Sequence, residues 1–182
     1  LKKTSDSLFN IQTINLSKSF GGTKALDHIN IELKSGKIHG LVGQNGAGKS
    51  TLGKIIGGHH KFSEGKLIIN NKSIDKWSPN LALDKGIAMI HQELALVPRM
   101  TVFENMLVFD KQTNHSFRRS ISPFGANRKI PNEVRQNIIK SLDAIQLGDQ
   151  HDTWLQDLSA PDLKLLEFTR AVQSDPKILL LD

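Results

Sequence analysis

Cysteine is absent from the chain. That excludes a disulfide framework and thiol chemistry, and it suits a reducing compartment. Long apolar runs are also missing: nothing approaches the roughly 18 residues of a membrane-spanning helix. No signal peptide is visible, because Leu1-Lys2-Lys3-Thr4-Ser5-Asp6-Ser7 leads into polar sequence without an apolar segment. The chain opens on Leu rather than Met, so its native start is expected to lie elsewhere. What remains is ordinary for a soluble globular chain, 38% hydrophobic and 23% charged over 182 residues, enough for one domain with a sizeable core. Charge is unbalanced at +6. Part of the excess is local, with Lys111, Arg118, Arg119, Arg128, Lys129 and Arg135 set against Glu133 alone. Such a stretch reads either as a solvated basic loop or as a surface facing anionic headgroups or another polyanion.

One stretch organises the rest: Gly43-Gln44-Asn45-Gly46-Ala47-Gly48-Lys49-Ser50-Thr51. It follows the apolar run Ile38-His39-Gly40-Leu41-Val42, read as a strand, and precedes the helical pattern Thr51-Leu52-Gly53-Lys54-Ile55-Ile56. Strand, glycine loop and helix carrying G-x-x-x-x-G-K-[ST] are the context of a phosphate-binding P-loop. Glycines let the backbone turn tightly and bring its N–H groups to phosphate oxygens. The helix opening at Gly48-Lys49 aims its free N–H groups and positive dipole end at the same anion. Lys49 then reaches the outer phosphates, and the Ser50 hydroxyl serves Mg²⁺.

Around this loop the chain alternates strand and helix signals. Ile11, Ile14 and Leu16 suggest a first strand with imperfect alternation, closed by a turn at Ser19-Phe20-Gly21-Gly22. Ile29, Ile31 and Leu33 alternate with Asn30, Glu32 and Lys34, as in a half-buried antiparallel strand ending at Ser35-Gly36. Gly57-Gly58 ends the P-loop helix; Gly65 to Asn70 reads as another strand, with Asn70-Asn71 as its turn. Ser78-Pro79 begins a short helix ended by Gly86. Ile87-Ala88-Met89-Ile90 is a short strand running into His91-Gln92-Glu93. Thr101 and Glu104 form a capping box, and residues 109–130 read as an irregular excursion. Pro131 opens a helix to about Leu147 with Gly148 as its stop, and Ser159 caps another carrying Leu163, Leu166, Ala171 and Val172. The chain finishes on Ile178-Leu179-Leu180-Leu181-Asp182, which suits a central parallel strand buried on both faces. A carboxylate at such a strand end lies where open α/β sheets place ligand contacts, so Asp182 reads as a Mg²⁺ contact. The strand calls for a following segment, and a chain truncated at its C-terminus is expected.

With the P-loop, Gln92 and Asp182 in place, nearly the whole chain from Ile11 to Asp182 resembles the ATP-binding cassette of ABC transporters. It is most similar to the first cassette of bacterial monosaccharide importers of ribose, galactose or xylose type. The residues that carry this are Lys18-Ser19-Phe20-Gly21-Gly22-Thr23-Lys24-Ala25-Leu26, the loop Gly43 to Leu52, Gly86-Ile87-Ala88-Met89-Ile90-His91-Gln92-Glu93-Leu94, and Met100-Thr101-Val102-Phe103-Glu104-Asn105. The resemblance implies an α/β fold: a P-loop NTPase core with a mostly parallel sheet, an antiparallel β subdomain and a helical subdomain. It divides the chain into 1–92 (β subdomain and P-loop core), 93–157 (helical subdomain) and 158–182 (signature helix and final strand). It implies ATP and Mg²⁺ as cofactors. Lys49, Gln92 and Asp182 would be catalytic, and Ser50, Gln92 and Asp182 would hold the metal. Phe20, Gly43, Asn45, Gly46, Ala47, Gly48, Lys49, Ser50, Thr51 and Ser159 would contact the nucleotide, with Phe20 stacked on adenine and Gln92 reaching Mg²⁺ and the attacking water.

The implied partners are integral membrane permease subunits, a second ATP-binding cassette and, indirectly, a sugar-binding protein, with no nucleic acid. The implied place is peripheral, on the cytoplasmic face of the plasma membrane. Two other readings stand beside this one. The basic stretch would suit an ABC-type ATPase acting on nucleic acid or ribosomes, and an altered signature would suit a non-catalytic regulatory module. The family's signature Leu-Ser-Gly-Gly-Gln is here Leu158-Ser159-Ala160-Pro161-Asp162. Pro161 lacks an N–H donor, and Asp162 adds negative charge where phosphate should dock, so a weak or inactive half-site is expected. The family's catalytic Glu and switch His would lie beyond Asp182, so these residues alone are expected to bind Mg–ATP with little turnover.

Overall fold

Turn chemistry delimits the first sheet. In the computed structural model, which describes residues 9–108 and 130–182, β1 (Asn10–Phe20) and β2 (Thr23–Lys34) are joined at Gly21-Gly22 as an antiparallel hairpin. β3 (Glu64–Ile69) pairs with the other edge of β1, and β4 (Lys72–Ser73) closes the sheet in the order β2-β1-β3-β4. The β3–β4 turn is Asn70-Asn71, both left-handed (φ 49° and 63°), as asparagine tolerates. The imperfect alternation of β1 has a cause. Asn15 is left-handed (φ 47°) and the pairing with β2 shifts between Thr13 and Leu16. This bulge turns Leu16 into the core and leaves Ile14 outside.

The helix after the P-loop, α1 (Lys49–Ile56), buries Leu52, Ile55 and Ile56 in one cluster with Ile11, Leu16, Leu26, Leu33, Leu67 and Ile69 of the sheet. Its far end is closed by Trp77, whose indole N–H donates to the carbonyls of Ile55 and Ile56, both at 3.0 Å. α2 (Pro79–Asp84) starts at Ser78, whose hydroxyl accepts from the Leu81 N–H at 3.3 Å. β5 (Ile87–Ile90) and β6 (Ile178–Leu181) form a separate two-stranded parallel sheet, begun by the Lys177 N–H on the Gly86 carbonyl at 2.7 Å. The fold is therefore α/β, as expected.

Two expectations on this part are corrected. Residues 38–42 form no strand, and Ile38 and Val42 are fully exposed. Gly40 interrupts the run, and among the described residues the segment has no ladder partner. Nor is β6 buried on both faces: among the described residues it pairs with β5 alone, and Leu181 is 70% exposed.

The chain forms two compact units, one of residues up to Met89 with Pro176–Asp182, the other Ile90–Asp175. The second has its own core, in which Val102, Phe103, Met106 and Leu107 of α3 (Val102–Val108) meet Val134, Ile138 and Leu142 of α4 (Asn132–Asp143) and Leu166 of α5 (Ala160–Gln173). The capping box before α3 forms as read: the Thr101 N–H donates to the Glu104 carboxylate at 2.8 Å and the Glu104 N–H to the Thr101 hydroxyl at 3.2 Å. Thr101 also bridges to Trp154, itself half-exposed. α4 stops four residues short of the expected Leu147. Gln146 adopts the left-handed conformation (φ 62°), and the Leu147 N–H returns to the Leu142 carbonyl at 2.9 Å. Both leucines are buried, so an apolar contact accompanies the reversal, and Gly148 is not the stop. Of the basic stretch, only Arg135 falls among the described residues, its guanidinium 4.9 Å from the Phe103 ring centroid. Lys111, Arg118, Arg119, Arg128 and Lys129, with most of the 109–130 excursion, lie outside them.

Asn105 of α3 is fully buried, and its amide serves as the partner of a loop backbone. It accepts from the Val97 N–H at 2.8 Å and donates to the carbonyls of Val97 and Thr101, both at 3.1 Å. Asn105→Ala leaves the Val97 backbone without that partner in a partly buried setting and should lower the unfolding free energy by about 1–3 kcal/mol. Urea denaturation measures this, and an unchanged midpoint would refute the assignment.

Candidate functional site

The glycine loop forms a cradle whose open side is backbone N–H. Gly46 and Gly48 both sit at φ 84°, and Gly48 is the N-cap of α1. Because that cap is glycine, no side chain closes the first turn, and no acidic residue lies there. The leading N–H groups of α1 are left to an incoming anion. Gly48 cannot be replaced without movement: a Cβ there would stand 2.4 Å from the Ala25 carbonyl oxygen and 2.6 Å from the Leu26 side chain. The loop thus lies directly on β2.

Lys49 projects back over this cradle. Its ammonium donates to the carbonyls of Gly43 at 2.9 Å and Gln44 at 2.8 Å. The same arrangement holds a cation beside the uncapped helix end, which is what a polyphosphate requires. Asn45, Ala47 and Ser50 are exposed around it, and Thr51 and Lys49 are half-buried. Gly43 to Thr51 are therefore brought together as one candidate surface for an anion.

Phe20 and Asp182 belong to the same unit as the loop. Phe20 ends β1 and is 44% exposed. Lys18 Nζ stands 4.7 Å from its ring centroid, and His60 meets the ring at an interplanar angle of 73° with centroids 5.4 Å apart. His60 was not singled out in the sequence, because a contact across forty residues leaves no local signal. Asp182 follows β6 directly and is exposed. Ser50, a hydroxyl, and Asp182, a carboxylate, are hard oxygen donors of the kind Mg²⁺ takes.

Gln92 and Ser159 belong to the second unit. Gln92 is exposed in a segment without regular structure after β5. Ser159 is the N-cap of α5, accepting from the Asp162 N–H at 3.3 Å. Its hydroxyl also donates to the Asp162 carboxylate at 2.5 Å. Asp162 thus adds charge to this helix end and engages the hydroxyl that would serve a phosphate. The S-x-x-D spacing signals this closure in the sequence.

Comparison with known proteins bears on the family and the fold. The family described as ABC transporter matches residues 26–182. The arabinose import ATP-binding protein AraG of Mannheimia succiniciproducens is 39% identical over 168 residues, covering 92% of this chain and 31% of that protein. The galactose/methyl galactoside import ATP-binding protein MglA of Treponema denticola is 34% identical over 168 residues, again 92% of this chain and 32% of that protein. The chain thus spans about a third of the length of the curated relatives it matches. Among solved structures, a nucleotide-free ATP-binding cassette from an ABC transporter superposes with a TM-score of 0.76 at 32% identity, covering 96% of this chain and 68% of that one.

The left-handed backbone of Gly48 and its contact with Ala25 make Gly48→Ala a test of the cradle. The strain, about 1–3 kcal/mol, should weaken ATP binding by roughly tenfold or more while circular dichroism stays unchanged. Titration with a fluorescent ATP analogue measures it, and wild-type affinity would show that the loop does not bind nucleotide through this geometry.

Proposed function

The chain belongs to the ABC transporter family, and from that membership we propose that it is part of the ATP-binding and ATP-hydrolysing subunit of an importer that takes up a monosaccharide. The observation that carries this is the cradle: an uncapped α1 N-terminus with the Lys49 ammonium held over it by two carbonyls. The relatives' printed roles in arabinose and galactose import support the sugar class.

In this reading the loop N–H groups bind the β- and γ-phosphates. Lys49 exchanges the Gly43 and Gln44 carbonyls for phosphate oxygens, since an ammonium prefers the fuller negative charge. Bound Mg–ATP supplies the transferable phosphoryl group and the cation that offsets its charge. Ser50 and Asp182 offer that cation oxygen donors, and Gln92 offers a neutral oxygen to orient water. Phe20 presents a ring face to the base, where stacking is worth about 1–3 kcal/mol. No side chain here is assigned to activate the water, so these residues alone bind Mg–ATP with little turnover.

The subunit's partners in this proposal are permease subunits, a second ATP-binding cassette and, indirectly, a sugar-binding protein, with no nucleic acid involved. Its place is the cytoplasmic face of the plasma membrane. Among the described residues no helix is long and apolar enough to cross a membrane.

A second reading concerns the signature loop. The Ser159–Asp162 bond favours a half-site that accepts ATP poorly from the opposite cassette. The triple change Ala160→Gly, Pro161→Gly, Asp162→Gln in the full assembly should raise ATP turnover by about tenfold, because it restores phosphate donors and removes a carboxylate. An unchanged rate would sink the half-site reading. Fractionation tests the transporter reading itself. The full-length protein should sediment with membranes, co-purify with an integral partner and ignore nuclease. Release by nuclease would overturn the reading in favour of a nucleic-acid-associated ATPase.

A further inference from the structure

The segment around Gln92 has no ladder or helix of its own, so any protein partners for its backbone polar groups come from elsewhere. Three side chains of α5 supply them. Lys164, Glu167 and Arg170 lie three residues apart, on one face of the helix. The Lys164 ammonium donates to the Gln92 carbonyl at 3.1 Å, the His91 carbonyl at 3.4 Å and the Glu167 carboxylate at 3.1 Å. The other Glu167 oxygen accepts from the Ala95 N–H at 3.0 Å, and Arg170 donates to the Ala95 carbonyl at 2.8 Å. Both polar groups of the Ala95 peptide are thus held by α5.

The buried members make this more than a surface contact. Glu167 is 2% exposed and Arg170 is also buried. Burial lowers the Arg170 pKa, and Glu167 opposes that shift. A carboxylate out of water is retained at a cost, and here it is satisfied by one ammonium and one peptide N–H. Packing alone is already supplied on this helix by Leu166, so the polar face is built for the segment it holds.

We propose that Glu167 is a positioning residue for Gln92: with Lys164 and Arg170 it ties residues 91–95 to α5, and so fixes where the glutamine stands. The proposal rests on the reading that Gln92 serves ATP hydrolysis. Because Ser159 begins the same helix, whatever engages that end shares a rigid element with the support of Gln92.

The test is a double-mutant cycle on ATP turnover by the full-length protein in its assembly, with Gln92→Ala, Glu167→Ala and both together. Glu167→Ala should lower kcat about tenfold with KM for ATP within about twofold, and the double variant should be no slower than Gln92→Ala. Glu167→Gln, which keeps an acceptor for the Ala95 N–H, should recover turnover to within about threefold of wild type. Losses that multiply would mean that Glu167 acts apart from Gln92 and would overturn the proposal. Wild-type turnover in Gln92→Ala would remove the premise, and the proposal with it. Hydrogen exchange at the Ala95 amide separates the two failures. It should accelerate at least about tenfold in Glu167→Ala whatever Gln92 does, and unchanged exchange would refute the tie itself. Should Glu167→Ala not fold, Lys164→Met, at a more exposed position, enters the same cycle with an expected loss of about threefold.

Discussion

Everything at the glycine-loop cradle depends on one missing atom. Gly48 rests so close to the Ala25 carbonyl that a Cβ would overlap it. That approach seats the loop on β2, starts α1 in the left-handed turn that leaves its N–H groups uncapped, and brings Lys49 back over its own loop. The far end of α1 shows the same economy: Gly58, at φ 81°, lies against the Ser78 backbone, and Trp77 completes the closing carbonyls. The helix is therefore flanked at both ends by glycines with no room for a Cβ, while its flank is fixed by apolar packing. Binding an anion then requires little reordering of the backbone, which is where preorganisation contributes most.

Much of this was legible where chemistry is local. The G-x-x-x-x-G-K-S loop, the Asn70-Asn71 turn, the Ser78 cap and the Thr101–Glu104 box each bind within a few residues, so spacing alone identifies them. The wider resemblance placed the chain in its family, and the comparisons agree. Non-local features were not legible. The run Ile38–Val42 has the composition of a strand but, among the described residues, not a partner, and composition cannot report a missing ladder. The bulge at Asn15 and the reversal at Gln146 put non-glycine residues in left-handed backbone, against the prior that glycine marks such sites. The polar face of α5 was hidden because Glu167 and Arg170 read as surface charges until their partners at Ala95 are known.

The two ends of α1 and α5 answer the same physical problem in opposite ways. Both helices begin with N–H groups that need an acceptor. α1 has no side-chain cap, which costs helix stability and leaves its donors available to a ligand. α5 closes its own with Ser159 and Asp162, and a carboxylate there stabilises the helix by about 0.3–1 kcal/mol. The same closure withdraws the hydroxyl from any phosphate. Stability and ligand binding thus compete for the same donors, and the two helices have settled that competition differently.

The indole that closes α1 has an optical consequence. The chain holds two tryptophans and no tyrosine. Trp77, half-buried against α1, sits in the unit that carries the phosphate loop, whereas Trp154, half-exposed, sits in the unit that carries Gln92. Ultraviolet emission from these 182 residues therefore comes from one reporter in each unit, without a phenol background. The shielded indole emits to the blue of the wetter one, and a soluble quencher reaches Trp154 first. The events at the two units can thus be followed separately by light alone, with no label attached.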